Sequence, residues 1–551
     1  MSDWSLTMFR KYPVFPALPF ITLLVLLNLL VACSKKPEPY NIILITMDTT
    51  RSDYVDSGNG AKAFTPSLKQ FSKQAVVFER AYATIPQTLP SHLSILTSYF
   101  PHECGVYSNE FHYDNRHKML QEILKEKGYS TAAVISLGTL ASTTGINKGF
   151  DLFVENLNGQ TVFFTPAEQV TSEGLRLLNK IKKDKFFLFL HYSDPHSPYA
   201  PPSTGALGRF YIEMDGKRVT EFNPYQGAIL RQELEIPDGT HTIRFKIEGR
   251  PEDFDNFVLR KLTPSKNCTL SFQNISFSKN YYGGSHMLKP PEGIITVKSR
   301  GKGYVKIFQV IPLLTWRAVL NYYRLEVEYM DQQIGKFLQS LEKEKLLDHT
   351  IVVIAADHGE GLGERERYFG HVRYLNQQFI HTPLMMYFPG TAPKRVTEPV
   401  SLIGISPSLL EFLGFRDNGF RIEESLLQTI RDTGKTDLVN RDIKPVFSFA
   451  FSPSSIDDRF SVIQWPYQCI FNKDSSGVVT QETYQLLLSQ SFRKWDEFST
   501  DVLVRHSRKD YIAMQQAFHQ VSGVFTKNKL YRAKTMNREE LEKLKTMGYI
   551  Q

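Results

Sequence analysis

The chain of 551 residues contains only four cysteines, Cys33, Cys104, Cys268 and Cys469, spaced so widely that they form neither a metal-ligand pattern nor a disulfide framework. Internal repeats and low-complexity segments are missing, which excludes repeat architectures. Runs of like charge are missing as well. The Lys and Arg residues behind the formal charge of +8 are scattered, so the sequence carries no nucleic-acid footprint, and no nucleic-acid partner is expected. Nothing suggests a multi-span membrane protein, because one apolar run stands out, near the N-terminus. What is there is a globular composition, 42% hydrophobic and 22% charged, in a chain too long for one ordinary core. A large domain with at least one smaller unit is expected.

The apolar run extends from Val14 to Ala32, follows Arg10 and Lys11, and ends in Leu30-Val31-Ala32-Cys33. It resembles a bacterial lipoprotein signal peptide. The resemblance implies cleavage before Cys33, acylation of that residue, and a mature protein exported and anchored to the membrane by lipid. The alternative is an uncleaved anchor, since the run is nearly long enough to span a bilayer. Ser34 stands where inner-membrane retention signals usually show Asp, which favours the outer membrane. A short polar linker follows, from Ser34 to Pro39.

Beyond the linker the pattern alternates buried strands with helices. Tyr40 to Met47, Ser130 to Ser136, Phe186 to Tyr192 and Thr350 to Ala356 are almost wholly apolar, as strands covered on both faces are. From about Ser203 to Pro312 the pattern changes to alternating apolar and polar residues with turns at Asp215-Gly216 and Pro237-Asp238-Gly239, which reads as an inserted antiparallel β-sandwich. The expected fold is therefore α/β: a mainly parallel central sheet flanked by helices. It spans residues 40–202 and 313–415, with the inserted β-sandwich at 203–312. A smaller C-terminal α+β part at 416–551 closes on a helix capped by Asn537 and stopped by Gly548. The insert is either a structural ornament or a recognition unit for the polymeric or membrane part of a substrate; in the second case its deletion should spare small aryl esters and impair the natural substrate.

Chemistry concentrates at the ends of those strands. Asp48 follows the first, His196 the third and Asp357-His358 the fourth, at the edge where open α/β sheets bind ligands. Thr88 lies where a loop enters a Pro-initiated helix, Thr88-Leu-Pro-Ser-His92, whose free N–H groups and dipole favour an anion. Thr before such a helix is by itself usually only a cap. With Asp48, Asp357 and His358 as oxygen and nitrogen ligands, and the Thr88 hydroxyl added, the set suits one divalent ion (Mn, Ca, Mg or Zn). Such an ion lowers the pKa of the Thr88 hydroxyl and screens an incoming phosphate or sulfate. His196 and His371 are then candidates to hold the equatorial oxygens or to protonate a leaving group.

Here the chain resembles the sulfatases of the alkaline phosphatase superfamily. The matching stretches are Asn41 to Arg51, Thr65-Pro-Ser-Leu68, Thr88-Leu-Pro-Ser-His92, Leu96 to His102, His191-Tyr-Ser-Asp-Pro-His-Ser-Pro198, Asp357-His-Gly-Glu-Gly-Leu-Gly-Glu364, Gly370-His371 and the terminal Leu541 to Tyr549. The resemblance implies an alkaline-phosphatase-like sandwich in which Asp48, Asp357 and His358 hold the cation and Thr88 is the nucleophile. It makes His196 a substrate-group histidine and His371 the residue near the leaving group. Asn109 falls where phosphonate and phosphodiester hydrolases of the group place an oxyanion-binding Asn.

Two departures bear on the reaction. Sulfatases carry a Cys or Ser, oxidised to formylglycine, where this chain has Thr88, and an Arg where it has His92, which is taken as a substrate-binding candidate. They commonly show paired Asp residues where this chain has Asp48-Thr49, one carboxylate fewer at the metal. Both changes resemble the phosphoglycerol and phosphoethanolamine transferases of the superfamily. The expected activity is hydrolysis or transfer of phosphate (phosphodiester or phosphonate) or sulfate esters through Thr88 at the cell envelope, on a substrate borne by an envelope glycan or lipid. A true sulfatase is the first alternative. A catalytically inactive binding lipoprotein is the second.

Overall fold

The computed structural model describes residues 40–487, apart from 58–63, 156–164, 198, 200, 203–207, 223–231, 280–283, 309, 365–368, 416–418, 433–442, 452–457, 466 and 474–478. Cys33 and the C-terminal helix expected between Asn537 and Gly548 lie outside these residues.

Four apolar segments form the middle of a nine-stranded sheet because both of their faces are covered. Strand β1 (Asn41–Met47) runs parallel to β5 (Phe186–Tyr192) on one side and to β6 (Thr350–Ala355) on the other. Beyond β5 lie β3 (Ser130–Ile135) and β4 (Leu152–Val154), again parallel. Beyond β6 the direction reverses once. Strand β7 (His381–Tyr387) is antiparallel to both β6 and β2 (Val76–Tyr82), and β8 (Lys394–Val396) closes that edge parallel to β2. This is the mainly parallel α/β sheet the sequence implied.

Helices cover the two faces. On one, α1 (Pro66–Ser72), α3 (Ala167–Ile181) and the long α4 (Trp316–Lys343) bury Leu68 and Phe71, Val170 and Leu177, and Met330, Ile334 and Phe337 against Ile43, Leu188 and Ile354 of the sheet. Helix α4 begins where Thr315 accepts a hydrogen bond from Ala318 N at 3.2 Å. On the other face lies α2 (Thr88–Thr97), all of whose residues are buried. The parallel strands point their carboxyl ends to one edge, so Asp48, His196 and Asp357-His358 arrive there together.

The insert departs from a two-layer sandwich. Its strands, from Gly208–Met214 to Val310–Leu314, form antiparallel sheets of five, four and three strands. All three sheets feed one core, with Phe245 and Ile295 from the first, Phe257 and Leu288 from the second, and Val305 and Ile307 from the third. That core does not stop at the insert. Tyr322, Tyr323 and Val327 of α4, with Tyr199 and Leu362, belong to the same cluster, so the insert shares its interior with the catalytic part instead of enclosing one of its own. The described residues from Asn41 onward belong to one compact unit.

Near the C-terminus, strands Val446–Ala450, Asp458–Gln464, Tyr467–Lys473 and Val479–Leu486 make a four-stranded antiparallel sheet. It grips the loop before α2. Phe449 N donates to Thr84 O and Ser448 Oγ to Ala83 O, both at 2.7 Å, while Ile85 packs among Phe449, Phe451 and Phe460.

Candidate active site

Parallel pairing brings the acidic groups together. Thr46 lies beside both His191 and Ala355 in the sheet, so the residues leaving β1 and β6 meet over the same edge. One ligand atom each from Asp48, Asp357 and His358 falls within 4.8 Å of the others, and all three residues are fully buried. His358 Nε2 lies 3.4 Å from Asp357 Oδ2 and 3.8 Å from Asp48 Oδ1. His358 Nδ1 is 2.9 Å from Gly359 O, and a carbonyl can only accept, so Nδ1 carries the proton and Nε2 presents a lone pair.

Charge makes the same point. Burial raises the Asp357 carboxyl well above its ordinary range, and the neighbouring Asp48 charge raises it further. Burial pushes Asp48 the same way, but His191, His358 and His196 outweigh it and leave the carboxyl depressed. His358 is lowered by burial and by His371. Asp48 Oδ1 and Asp357 Oδ2 have no hydrogen-bond partner. Two buried carboxylates with idle oxygens and a lone-pair imidazole suit a divalent cation.

Thr88 stands at the first residue of α2, with Gln87 as the cap. Pro90 is thus the third helical residue and not the first, as expected from sequence; its missing N–H still falls among the unpaired donors of the first turn. Thr88 Oγ1 is 3.4 Å from Asp48 Oδ2 and 3.5 Å from His358 Nε2. Asn109 reaches the same helix end. Its Oδ1 accepts from Leu89 N at 2.9 Å, and its buried Nδ2 has no partner, a donor available to an oxyanion.

His196 and His371 face each other with ring centroids 5.1 Å apart, and the His371 ring lies 4.5 Å from that of His358. His196 Nδ1–H donates to Ser197 O at 2.7 Å, and burial lowers its pKa. His371 differs because Nδ1 meets Glu360 at 3.4 Å. Burial alone would lower it, but the Glu360 carboxylate outweighs burial and raises it.

His92 does not reach a substrate position. Its Nδ1–H donates to Thr88 O at 2.8 Å and its Nε2 accepts from Thr46 Oγ1 at 2.9 Å, so both ring nitrogens are spent on the protein. Burial pushes its pKa down to about 3 and keeps it neutral. It ties the backbone of Thr88 to β1.

The sulfatase family model matches residues 40–415, most of the chain. The chain belongs to the sulfatase family. Sulfatases are ester hydrolases of the alkaline phosphatase superfamily, and this member is 22% identical over 428 residues to the N-acetylglucosamine-6-O-sulfatase of Bacteroides thetaiotaomicron, covering 73% of this chain and 72% of that one. It is 20% identical over 414 residues to the choline-sulfatase of Rhizobium meliloti, covering 68% and 67%. In fold it is similar to the phosphonate monoester hydrolase of Agrobacterium radiobacter, with a TM-score of 0.56 at 14% identity over 89% of this chain and 96% of that one.

Within this sulfatase-family site the structure adds residues that sequence reasoning left out. His191, the polar residue in an otherwise apolar β5, places Nε2 at 3.4 Å from Asp48 Oδ2, and its Nδ1 is 3.0 Å from Ser136 Oγ. It orients a metal-ligand candidate without being one. His191→Gln is expected to weaken divalent-ion affinity by about 10–100-fold with an unchanged melting temperature, read by calorimetric titration of the metal. Tyr323 acts from further off. Its hydroxyl donates to Thr49 O at 2.7 Å and accepts from Arg51 N at 2.9 Å, which holds the turn after β1. Thr49 has φ +53°, a left-handed conformation in which a β-branched residue is an outlier. The signals for these residues were thin, a lone His at a strand end and a Tyr in an amphipathic helix.

Proposed function

We propose that the protein is a metal-dependent phosphoester hydrolase or transferase that works through a Thr88 ester and prefers phosphodiesters or phosphonate esters. The observation that carries this reading is a threonine hydroxyl set between Asp48 Oδ2 and His358 Nε2 at a helix N-terminus. A formylglycine hydrate can release its sulfate by breaking a carbon–oxygen bond, because its carbon carries a second hydroxyl. Threonine has one hydroxyl, so its ester must be opened by attack at the central atom, which phosphorus accepts more readily than sulfur.

Asp48, Asp357 and His358 would hold one divalent ion, which supplies charge to bind the anion and lowers the pKa of the Thr88 hydroxyl. Thr88 Oγ1, its proton directed at Asp48 Oδ2, attacks phosphorus. Asn109 Nδ2 and the α2 N-terminus take a non-bridging oxygen, and His196 holds another. His371 gives its proton to the departing alcohol as the bond to phosphorus breaks. Water, or an acceptor alcohol in a transferase, then gives a proton to the neutral His371 and attacks the phosphothreonine; the bond from phosphorus to Thr88 Oγ1 breaks, and Thr88 takes its proton back from Asp48 Oδ2.

Sulfate ester cleavage is the second reading, favoured by relatives such as the N-acetylglucosamine-6-O-sulfatase above. Kinetics on matched aryl phosphate mono- and diesters, phosphonate esters and sulfates, with Mn²⁺, Mg²⁺, Ca²⁺ and Zn²⁺ supplied in turn, separate the two. Highest kcat/KM on the diester or phosphonate supports the first, and on the sulfate the second. A panel with no turnover and no bound metal would overturn both. We place the enzyme at the bacterial outer membrane, tethered by acylated Cys33 to act on an envelope glycan or lipid; Cys33→Ala should release it from the membrane fraction.

His371 as an acid sets a pH dependence. It must carry its proton, so activity is present below its pKa and lost as pH rises through it. Because the Glu360 carboxylate holds that pKa up, Glu360→Gln should move the alkaline limb of the kcat/KM profile to lower pH and leave the acid limb in place.

A further inference from the structure

Outside the catalytic groups, two large apolar side chains stand out against solvent close to the site. Trp316 is 51% exposed and Phe369 is 43% exposed. They come from distant parts of the chain, the first turn of α4 and a short ribbon in which Gly361–Leu362 pairs antiparallel with Phe369–Gly370. Both rings lie against Gly363. A Cβ there would sit 2.6 Å from Phe369 Cζ and 3.2 Å from Trp316 Cδ1, and the glycine has φ +94°, so only bare backbone lets the two rings approach. Trp316 Nε1 donates to Leu362 O at 2.7 Å, which fixes the indole although half of it is in water.

The ribbon connects this pair to the chemistry. Glu360 immediately precedes Gly361 and His371 immediately follows Gly370, so the ribbon starts at the buried Glu360–His371 pair and runs outward to the rings. Phe369 is two residues from His371, at most about 7 Å along the backbone. His371 is the group that faces the departing alcohol in the reaction read above. A substituent on that alcohol therefore reaches the two rings within the length of one sugar.

We propose that Trp316 and Phe369 are a stacking platform for a pyranose ring carried on the alcohol side of the ester. The proposal rests on the reading of His371 as the leaving-group residue. A pyranose offers what the place asks for: a flat C–H face for exposed aromatic rings, and hydroxyls at its rim that stay in water. A long acyl chain asks for a continuous apolar strip, and here the ribbon turns from the two rings straight to Glu360 and His371.

The test uses two methyl phosphodiesters with the same reacting group, one on the primary hydroxyl of methyl glucopyranoside and one on ethylene glycol, with the matched sulfates alongside. Trp316→Ala and Phe369→Ala should each raise KM for the sugar ester about 10-fold, leave its kcat unchanged and leave the glycol ester unchanged, while Trp316→Phe restores most of the affinity. Equal effects on both esters, or none on either, would overturn the platform. So would a decyl ester that gains from the rings as much as the sugar does. Saturation-transfer NMR of methyl glucopyranoside on the wild-type protein reads the platform without turnover: its signals should weaken in both alanine variants. Sugar binding lost in those variants, together with no turnover of any ester, would fault the catalytic reading and keep the platform. Turnover indifferent to the sugar would do the reverse.

Discussion

Thr88→Ala is expected to lower turnover of the best ester by at least about a thousandfold while the melting temperature changes little. The change removes the hydroxyl set against both Asp48 and His358, and an alanine methyl fits where the threonine stood. The helix end survives, because Asn109 Oδ1 still accepts from Leu89 N and His92 Nδ1–H still donates to Thr88 O. Thr88→Ser should retain part of the activity, since it keeps the oxygen and loses the methyl that restricts its rotation. Mass spectrometry of the Thr88 peptide supplies an independent check: an unoxidised threonine in the resting enzyme, and a phosphorylated one after rapid quenching with substrate. An alanine variant with full turnover would remove Thr88 from the mechanism.

Deleting residues 203–312 is expected to abolish the folded protein, so that no ester is turned over, small aryl esters included. A separable recognition module would leave them untouched. The difference lies in the shared core. Removal of the insert would expose Tyr199, Tyr322, Tyr323, Val327 and Leu362, which now lie buried with Phe245, Phe257 and Ile295. At about 2 kcal/mol for each large apolar side chain the loss is on the order of 10 kcal/mol, against a total stability of about 5–15 kcal/mol. It would also release Tyr323, whose hydroxyl holds the turn that carries Asp48. Loss of a cooperative melting transition checks the prediction, and a soluble deletion protein with normal aryl ester kinetics would refute it.

Much of the fold was legible because burial on both faces leaves a plain trace. Phe186–Tyr192 and Thr350–Ala355 are apolar throughout and lie in the middle of the sheet. Alternation likewise exposed the strands of the insert, such as Gly239–Gly249. Alternation says which residues face inward, and not what they face, so neither the three-sheet arrangement nor the continuity with α4 could be read. The same limit applied at the site. Asp48, Thr88, Asp357 and His358 stand in stretches whose order resembles the family, and the structure brings them together. His191 acts through Asp48, far from it in sequence, Glu360 through a ribbon whose pairing only the structure shows, and His92 shows how a residue inside a matching stretch can turn inward to the backbone.

Thr49 has one more consequence, for the order in which the molecule forms. A threonine at φ +53° has no local preference for its conformation, at a cost of about 1–3 kcal/mol. What holds it are Tyr323, 274 residues further along the chain, and Asp357, 308 residues away, which accepts from Thr49 N at 3.3 Å. Those contacts close long loops, and loop closure is slow. The turn that aims Asp48 is therefore a late event in folding: the scaffold must be nearly complete before a cation has a site to enter, and partly folded chains would compete poorly for scarce metal.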